Sequence, residues 1–211
     1  MLKNKVTLIT GCSRGIGNSI LNTFAENRSE IIACFRKKNN QNIQIVNEIK
    51  KKYKIKITAL YFNLFDQESI EKKINFILKK KKIDVLVNNA GVLKSSLFQM
   101  TTIRSMKEML DINLFSHLLI SQIIIKSMVL NKKGSIINIS STSGIDSNVG
   151  RISYATSKSA LITATEVISK EVGRYNIRVN AIAPGVSDTD MYREGHSEKI
   201  RKDILEKISL K

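Results

Sequence analysis

A chain of 211 residues with 42% apolar side chains can build one domain around a sizeable core, and a single proline beside ten glycines excludes a Pro/Gly-rich linker. Two cysteines, Cys12 and Cys34, argue against a disulfide framework, and two histidines, His117 and His196, argue against a metal site, so no metal is expected. The formal charge of +17 raises three partners, nucleic acid, a membrane surface or an acidic carrier.

The lysines are scattered along the chain. Their clusters at Lys50-Lys51-Lys52 and Lys79 to Lys82 fall at ends of predicted helices, where cations suit the helix dipole and water. Solvated surface is the favoured reading, with an acidic protein-bound substrate left open and neither nucleic acid nor membrane expected. No run approaches the roughly 18 apolar residues of a membrane helix. Met1 to Thr10 lacks the apolar core and cleavage site of a signal peptide, so a cytoplasmic protein is expected.

Short β-rich apolar runs alternate with helical patterns throughout. Strands are predicted at Val6–Thr10, Glu30–Phe35, Ile55–Tyr61, Ile83–Val87, Ser135–Ile139 and Ile177–Ile182. Helices are predicted at about 16–27, 41–53, 67–81, 103–131, 152–174 and 197–208. The alternation implies one α/β domain over 1–211, a Rossmann-like, doubly wound parallel sheet of about six strands with helices on both faces. Ligands bind such sheets outside the carboxyl ends of the strands. The helix at 103–131 is apolar nearly all round, which asks for cover beyond the sheet. A neighbouring subunit is the preferred cover, an overlying helix of the same chain the alternative.

Between the first strand and helix lies Thr10-Gly11-Cys12-Ser13-Arg14-Gly15-Ile16-Gly17. Its glycines permit a tight turn and close approach of a pyrophosphate, and the helix start offers free N–H groups to that anion. The spacing departs from the Gly-x-Gly-x2-Gly of other dinucleotide folds. The second strand ends in Cys34-Phe35-Arg36-Lys37-Lys38, without the carboxylate that holds a ribose 2′-hydroxyl. Arg36, with Arg14, suits a 2′-phosphate instead, which favours NADPH/NADP+ over NADH/NAD+.

Tyr154 and Lys158 stand four apart on one helix face. A free tyrosine titrates near pH 10, and an ammonium beside it favours the phenolate. Ser141 lies thirteen residues earlier, just past a strand. Asn88-Asn89-Ala90-Gly91 follows the fourth strand, Asn113 sits in the next helix, and Pro184-Gly185 follows the sixth, with Thr189 shortly after.

With these motifs in order, the chain from about Lys5 to Met191 resembles the short-chain dehydrogenase/reductase family. The resemblance implies a catalytic set of Asn113, Ser141, Tyr154 and Lys158. Tyr154 exchanges a proton with the reacting oxygen, Ser141 polarises it, Lys158 holds the nicotinamide ribose and depresses the tyrosine pKa, and Asn113 holds a relay water. It further implies that Gly11, Ser13, Arg14, Gly15, Ile16 and Gly17 hold the pyrophosphate. Asn63 and Leu64 would flank the adenine, although the family more often has Asp at the first position. Asn89, Ala90 and Gly91 would border the adenine ribose, and Pro184, Gly185, Val186 and Thr189 the nicotinamide amide.

The segments Ser-Arg-Gly-Ile-Gly and Pro-Gly-Val-Ser-Asp-Thr-Asp-Met are similar to those of 3-oxoacyl-acyl-carrier-protein reductases, and also to those of sugar, polyol and surface-polysaccharide enzymes. The function implied is hydride transfer between NADP(H) and a small or carrier-bound carbonyl or alcohol, in a homo-oligomer built through the helices near 103–131 and 152–174. Family members continue into a further helix and a seventh edge strand. A chain without them would leave the sixth strand as an edge, and a nucleotide-binding relative with little turnover is the alternative reading.

Overall fold

The sheet is built from runs that bury both faces. In the computed structural model, which describes residues 2–194 together with Glu198 and Glu206, β1 (Val6–Thr10), β2 (Glu30–Phe35) and β4 (Val85–Asn88) are almost wholly buried. That is the pattern of central strands in a parallel sheet. β3 (Ile57–Tyr61) and β6 (Ile177–Ile182) are more exposed and close the two edges among the described residues, with β5 (Gly134–Ile139) inside β6. The order is β3-β2-β1-β4-β5-β6, parallel throughout. The order reverses between β1 and β4, so a crevice opens beyond the carboxyl ends of that pair.

Helices α1 (Gly15–Glu26) and α2 (Asn40–Tyr53) cover one face, with Leu21 and Ile49 packed on Ile9, Ile31 and Val87. On the other face lie α3 (Gln67–Leu78), α5 (Ser116–Leu130) and α6 (Ile152–Val172). Ile70, Ile74, Ile120 and Ile124 are there fully buried against Leu8, Ile32, Leu86 and Ile136. Asn39 caps α2 by accepting from the N–H of Asn42 at 2.8 Å, and Asp66 caps α3 through Ser69 at 2.9 Å.

Several boundaries differ from expectation. The third and fourth strands start two residues late, at Ile57 and Val85, and α3 ends at Leu78, leaving Lys79–Lys82 as the turn into β4. The helix expected at 103–131 is α4 (Ile103–Leu110), one π-turn (Asp111–Phe115) and α5. Ile103–Leu130 is long and apolar enough to cross a membrane by length and composition, yet half of its most apolar stretch is buried inside the fold. The flanking helices α3 and α6 pack along it and supply part of its second cover from the same chain. Of the last predicted helix (197–208) only Glu198 and Glu206 are described, both helical, and His196 lies outside the described residues; α7 (Asp190–Glu194) precedes them.

Candidate active site

The glycine turn is held from below. The carbonyl of Cys34 at the tip of β2 accepts the N–H groups of Gly11 and Cys12 at 3.1 and 3.2 Å. Asn89 donates from Nδ2 to the carbonyls of Thr10 and Gly11, and Thr10 Oγ1 accepts the N–H groups of Asn89 and Ala90 at 2.9 and 3.0 Å. Gly11 has φ +73, and a Cβ there would sit 2.8 Å from the Cα of Ala90. One at Gly17 would collide with the carbonyl oxygen of Gly11. The two segments therefore form one rigid cradle, with the first N–H groups of α1 unbonded by any capping side chain.

Above the cradle is a cleft of about 1400 Å³. Gly11, Ser13, Arg14, Gly15, Ile16 and Gly17 line it on one side, with Arg36, Asn63 and Leu64 farther along. Asn89, Ala90 and Gly91 form its floor beyond β4, and Pro184, Gly185, Val186 and Thr189 its roof. Thr189 Cγ2 would lie 3.3 Å from a Cβ on Gly15, so the loop after β6 folds over the glycine turn. Arg36 is exposed at the tip of β2, whereas Arg14 leans to Asp190 at 3.8 Å.

Ser141, Tyr154 and Lys158 line the same cleft. Ser141 leads from β5 into a 3₁₀ turn (Thr142–Gly144), its Oγ accepting the Ser143 N–H at 3.2 Å. Lys158 is 3% exposed, and its Nζ donates to the Ile139 carbonyl at 2.8 Å, 5.9 Å from the Tyr154 ring centre. Burial brings the Lys158 ammonium down to about 8. Burial likewise pushes the Tyr154 phenol up, opposed by a hydrogen bond from Ser141 and by the Arg151 guanidinium. The sequence named Lys158 for that opposing role. Its ammonium lies under the tyrosine ring and donates toward β5.

Asn113 differs more. Its side chain is fully buried by the π-turn and does not reach the cleft wall. Oδ1 accepts the Val92 N–H at 2.9 Å, and Nδ2 donates to the Val92 carbonyl at 2.9 Å and to Ser157 Oγ at 3.1 Å. It ties the segment after β4 to α6, and its amide nitrogen has both hydrogens engaged. A Cβ on Gly91 would lie 3.3 Å from Asn113 Oδ1 and 3.7 Å from Lys158 Nζ, so both side chains converge on that glycine.

Two contributors escaped the sequence reading. Gly144 lets the Ser141 turn touch α6, and its spacing three residues after the serine was the available signal. Arg151 stands one helical turn before Tyr154, a spacing that could have flagged it. Burial holds the thiol of Cys12 up at about 12, and pulls His117 down to about 3 with help from the Lys158 charge. Neither group is charged at neutral pH. No group of three His, Cys, Asp or Glu gathers as a metal site among the described residues.

A glycine cradle at the switch point, opening onto a cleft with serine, tyrosine and lysine, has the architecture of a dinucleotide-dependent oxidoreductase. The family model for short chain dehydrogenases matches residues 5–200. Over 210 residues the chain is 37% identical to the 3-oxoacyl-[acyl-carrier-protein] reductase of Aquifex aeolicus, covering 99% of this chain and 84% of that one. It is 35% identical over 210 residues to the Thermotoga maritima reductase of the same name, with the same coverage. A solved short-chain dehydrogenase/reductase from Burkholderia xenovorans matches at TM-score 0.91 and 26% identity, over 99% of this chain and 83% of that one. One from Streptomyces avermitilis matches at 0.81 and 27%, over 92% and 70%. The chain belongs to the short-chain dehydrogenase/reductase family of oxidoreductases.

Proposed function

We propose that the protein is an NADPH-dependent reductase of a 3-oxoacyl thioester, the thiol being a small molecule or borne on a carrier protein. The substrate class rests on the names of its relatives, which are 3-oxoacyl-[acyl-carrier-protein] reductases. The cradle fits a dinucleotide: Gly11 and Gly17 leave no room for side chains, and the α1 N-terminus suits an anion. When bound, the nicotinamide supplies the hydride to the carbonyl carbon.

The chain's own residues do the rest. Gly11 to Gly17 would hold the pyrophosphate, Asn63, Leu64, Asn89, Ala90 and Gly91 the adenosine side, and Pro184 to Thr189 the carboxamide end. Arg36, exposed at the β2 tip with no carboxylate beside it in sequence, would take the 2′-phosphate, with Arg14 assisting. Ser141 orients the carbonyl oxygen and Tyr154 gives it a proton, leaving a phenolate stabilised by the cations of Lys158 and Arg151. Lys158 would also hold the nicotinamide ribose. Asn113 supports the relay by fixing Val92 and α6.

The observation that carries this reading is the sharing of one cleft by Ser141, Tyr154, Lys158 and the glycine cradle. NADPH oxidation with acetoacetyl-coenzyme A as probe tests it. Turnover is expected, and none with any 3-oxoacyl thioester contradicts the substrate class. The same reading makes the protein a cytoplasmic homo-oligomer. The exposed apolar side chains Phe115 in the π-turn and Val167 on α6 support that assembly.

A further inference from the structure

The lysines are spread through the sequence but not over the molecule. Because every strand is parallel, each helix returns its C-terminus to the end of the sheet opposite the cleft. That end gathers the runs 50–56, 79–82 and 132–133, in which every lysine except Lys81 is exposed. Hydrogen bonds along the rim set these segments side by side. Ile31 N donates to the Lys56 carbonyl, Glu30 N to that of Lys5, and Ser135 N to that of Asp84, all at 2.9 to 3.0 Å. At the spacing of neighbouring strands, six strands make a band on the order of 25 Å wide.

Little on that end neutralises it. Of the carboxylates there, Glu30 pairs with Lys81, and Asp84 with Lys5 at 3.2 Å. Glu26 acts on Lys52. The C-termini of α2, α3 and α5 each contribute about half a negative charge, against eleven lysines in the three runs. Two apolar side chains stand among these cations. Leu130, the last residue of α5, is 86% exposed. Phe76, near the end of the neighbouring α3, is 52% exposed, with Lys80 Nζ 4.1 Å from its ring centre.

We propose that this basic end docks on an anionic membrane surface, with Leu130 and Phe76 entering the headgroup layer and the lysine runs lying over acidic lipids. Charge complementarity selects a polyanion, and the aliphatic Leu130 among the cations selects a lipid surface over a nucleic acid. A phosphate backbone offers such a side chain no apolar partner, whereas the acyl boundary does. The cleft, at the opposite end of the sheet, faces away from the membrane and stays open to substrate. The sequence expected solvated lysines and no membrane partner. Strand parallelism, invisible in a one-dimensional charge pattern, is what brings them together.

The test is co-sedimentation of the full chain with vesicles of phosphatidylcholine alone, or mixed with an equal part of phosphatidylglycerol, beside titration with duplex DNA. The chain is expected to sediment only with the phosphatidylglycerol vesicles. Neutralising Lys80, Lys132 or Lys133 with glutamine weakens that binding by about fivefold each. Leu130→Ser weakens what survives at raised salt, and Arg104→Glu, at the other end of the molecule, changes nothing. Unchanged melting temperatures show that the variants fold. Failure to sediment, or sedimentation indifferent to the three lysines, overturns the proposal. So does DNA binding as tight as vesicle binding and insensitive to Leu130→Ser, which would make the end a nucleic-acid surface.

Discussion

Gly144 lies against the backbone of Lys158: a Cβ on the glycine would stand 2.8 Å from the Lys158 carbonyl carbon and 2.8 Å from the Ser159 nitrogen. The contact locks the Ser141 turn to the helix carrying Tyr154. Ser140 Oγ adds a second lock, donating to the Lys158 carbonyl at 2.9 Å. The catalytic geometry thus rests on a backbone approach that only glycine permits.

Gly144→Ala must push the turn off α6, because both obstructing atoms are backbone. The overpacking costs about 1–3 kcal/mol and separates Ser141 from Tyr154. The expected outcome is a drop in kcat of tenfold or more with NADPH affinity nearly unchanged, read by steady-state kinetics and fluorescence titration. An unchanged kcat would show that the serine's position does not matter.

Arg36→Ala should distinguish the two cofactors. A lost hydrogen bond to a charged group is worth about 1.5–3 kcal/mol, so NADPH should bind roughly tenfold to a hundredfold more weakly while NADH is little affected. Equal losses for both would remove the 2′-phosphate role.

Lys158 gives stability a pH dependence. Its folded pKa of about 8 lies below its ordinary 10.5 because burial disfavours the ammonium. Below about pH 8 both folded and unfolded states are protonated and the penalty is whole. Between about 8 and 10.5 the unfolded chain keeps a proton that the folded chain releases, so this contribution raises stability with pH. The gap corresponds to on the order of 3 kcal/mol. Lys158→Met should melt higher than wild type at pH 7, with the difference shrinking toward pH 10.

His117 gives a slope of the same sign at the acid end. Its folded pKa is pulled to about 3 from 6.5, first by burial and then by the Lys158 charge. Above pH 6.5 it is neutral in both states, and as pH falls toward 3 the unfolded chain takes up a proton the folded one refuses. Stability is lost over that window. His117→Gln should flatten the acid side of a urea-midpoint profile, and an unaltered slope would mean that another group governs it.

What the sequence revealed depended on how local the cause was. The strand Val6–Thr10 and the glycine turn after it were legible because apolar runs and glycine spacing are local signals. Tyr154 and Lys158 were legible as helical neighbours, but not the turn of Lys158 toward Ile139, which depends on where β5 passes beneath α6. Asn113 was expected to face the relay. A π-turn, created by one extra residue in an otherwise regular helix, buries it instead, and no periodicity announces such a turn. The convergence of lysines 50–56, 79–82 and 132–133 follows from topology alone.

The mechanism turns on Tyr154 as the proton donor, and Tyr154→Phe examines that role directly. The variant keeps the ring and the helix but has no hydroxyl. Compared with wild type in NADPH oxidation with a 3-oxoacyl thioester, it should lose turnover by a factor on the order of a hundred to ten thousand. Its NADPH dissociation constant should stay within about twofold of wild type, given that general acid–base groups act chiefly on the chemical step. A variant that turns over at the wild-type rate contradicts the mechanism.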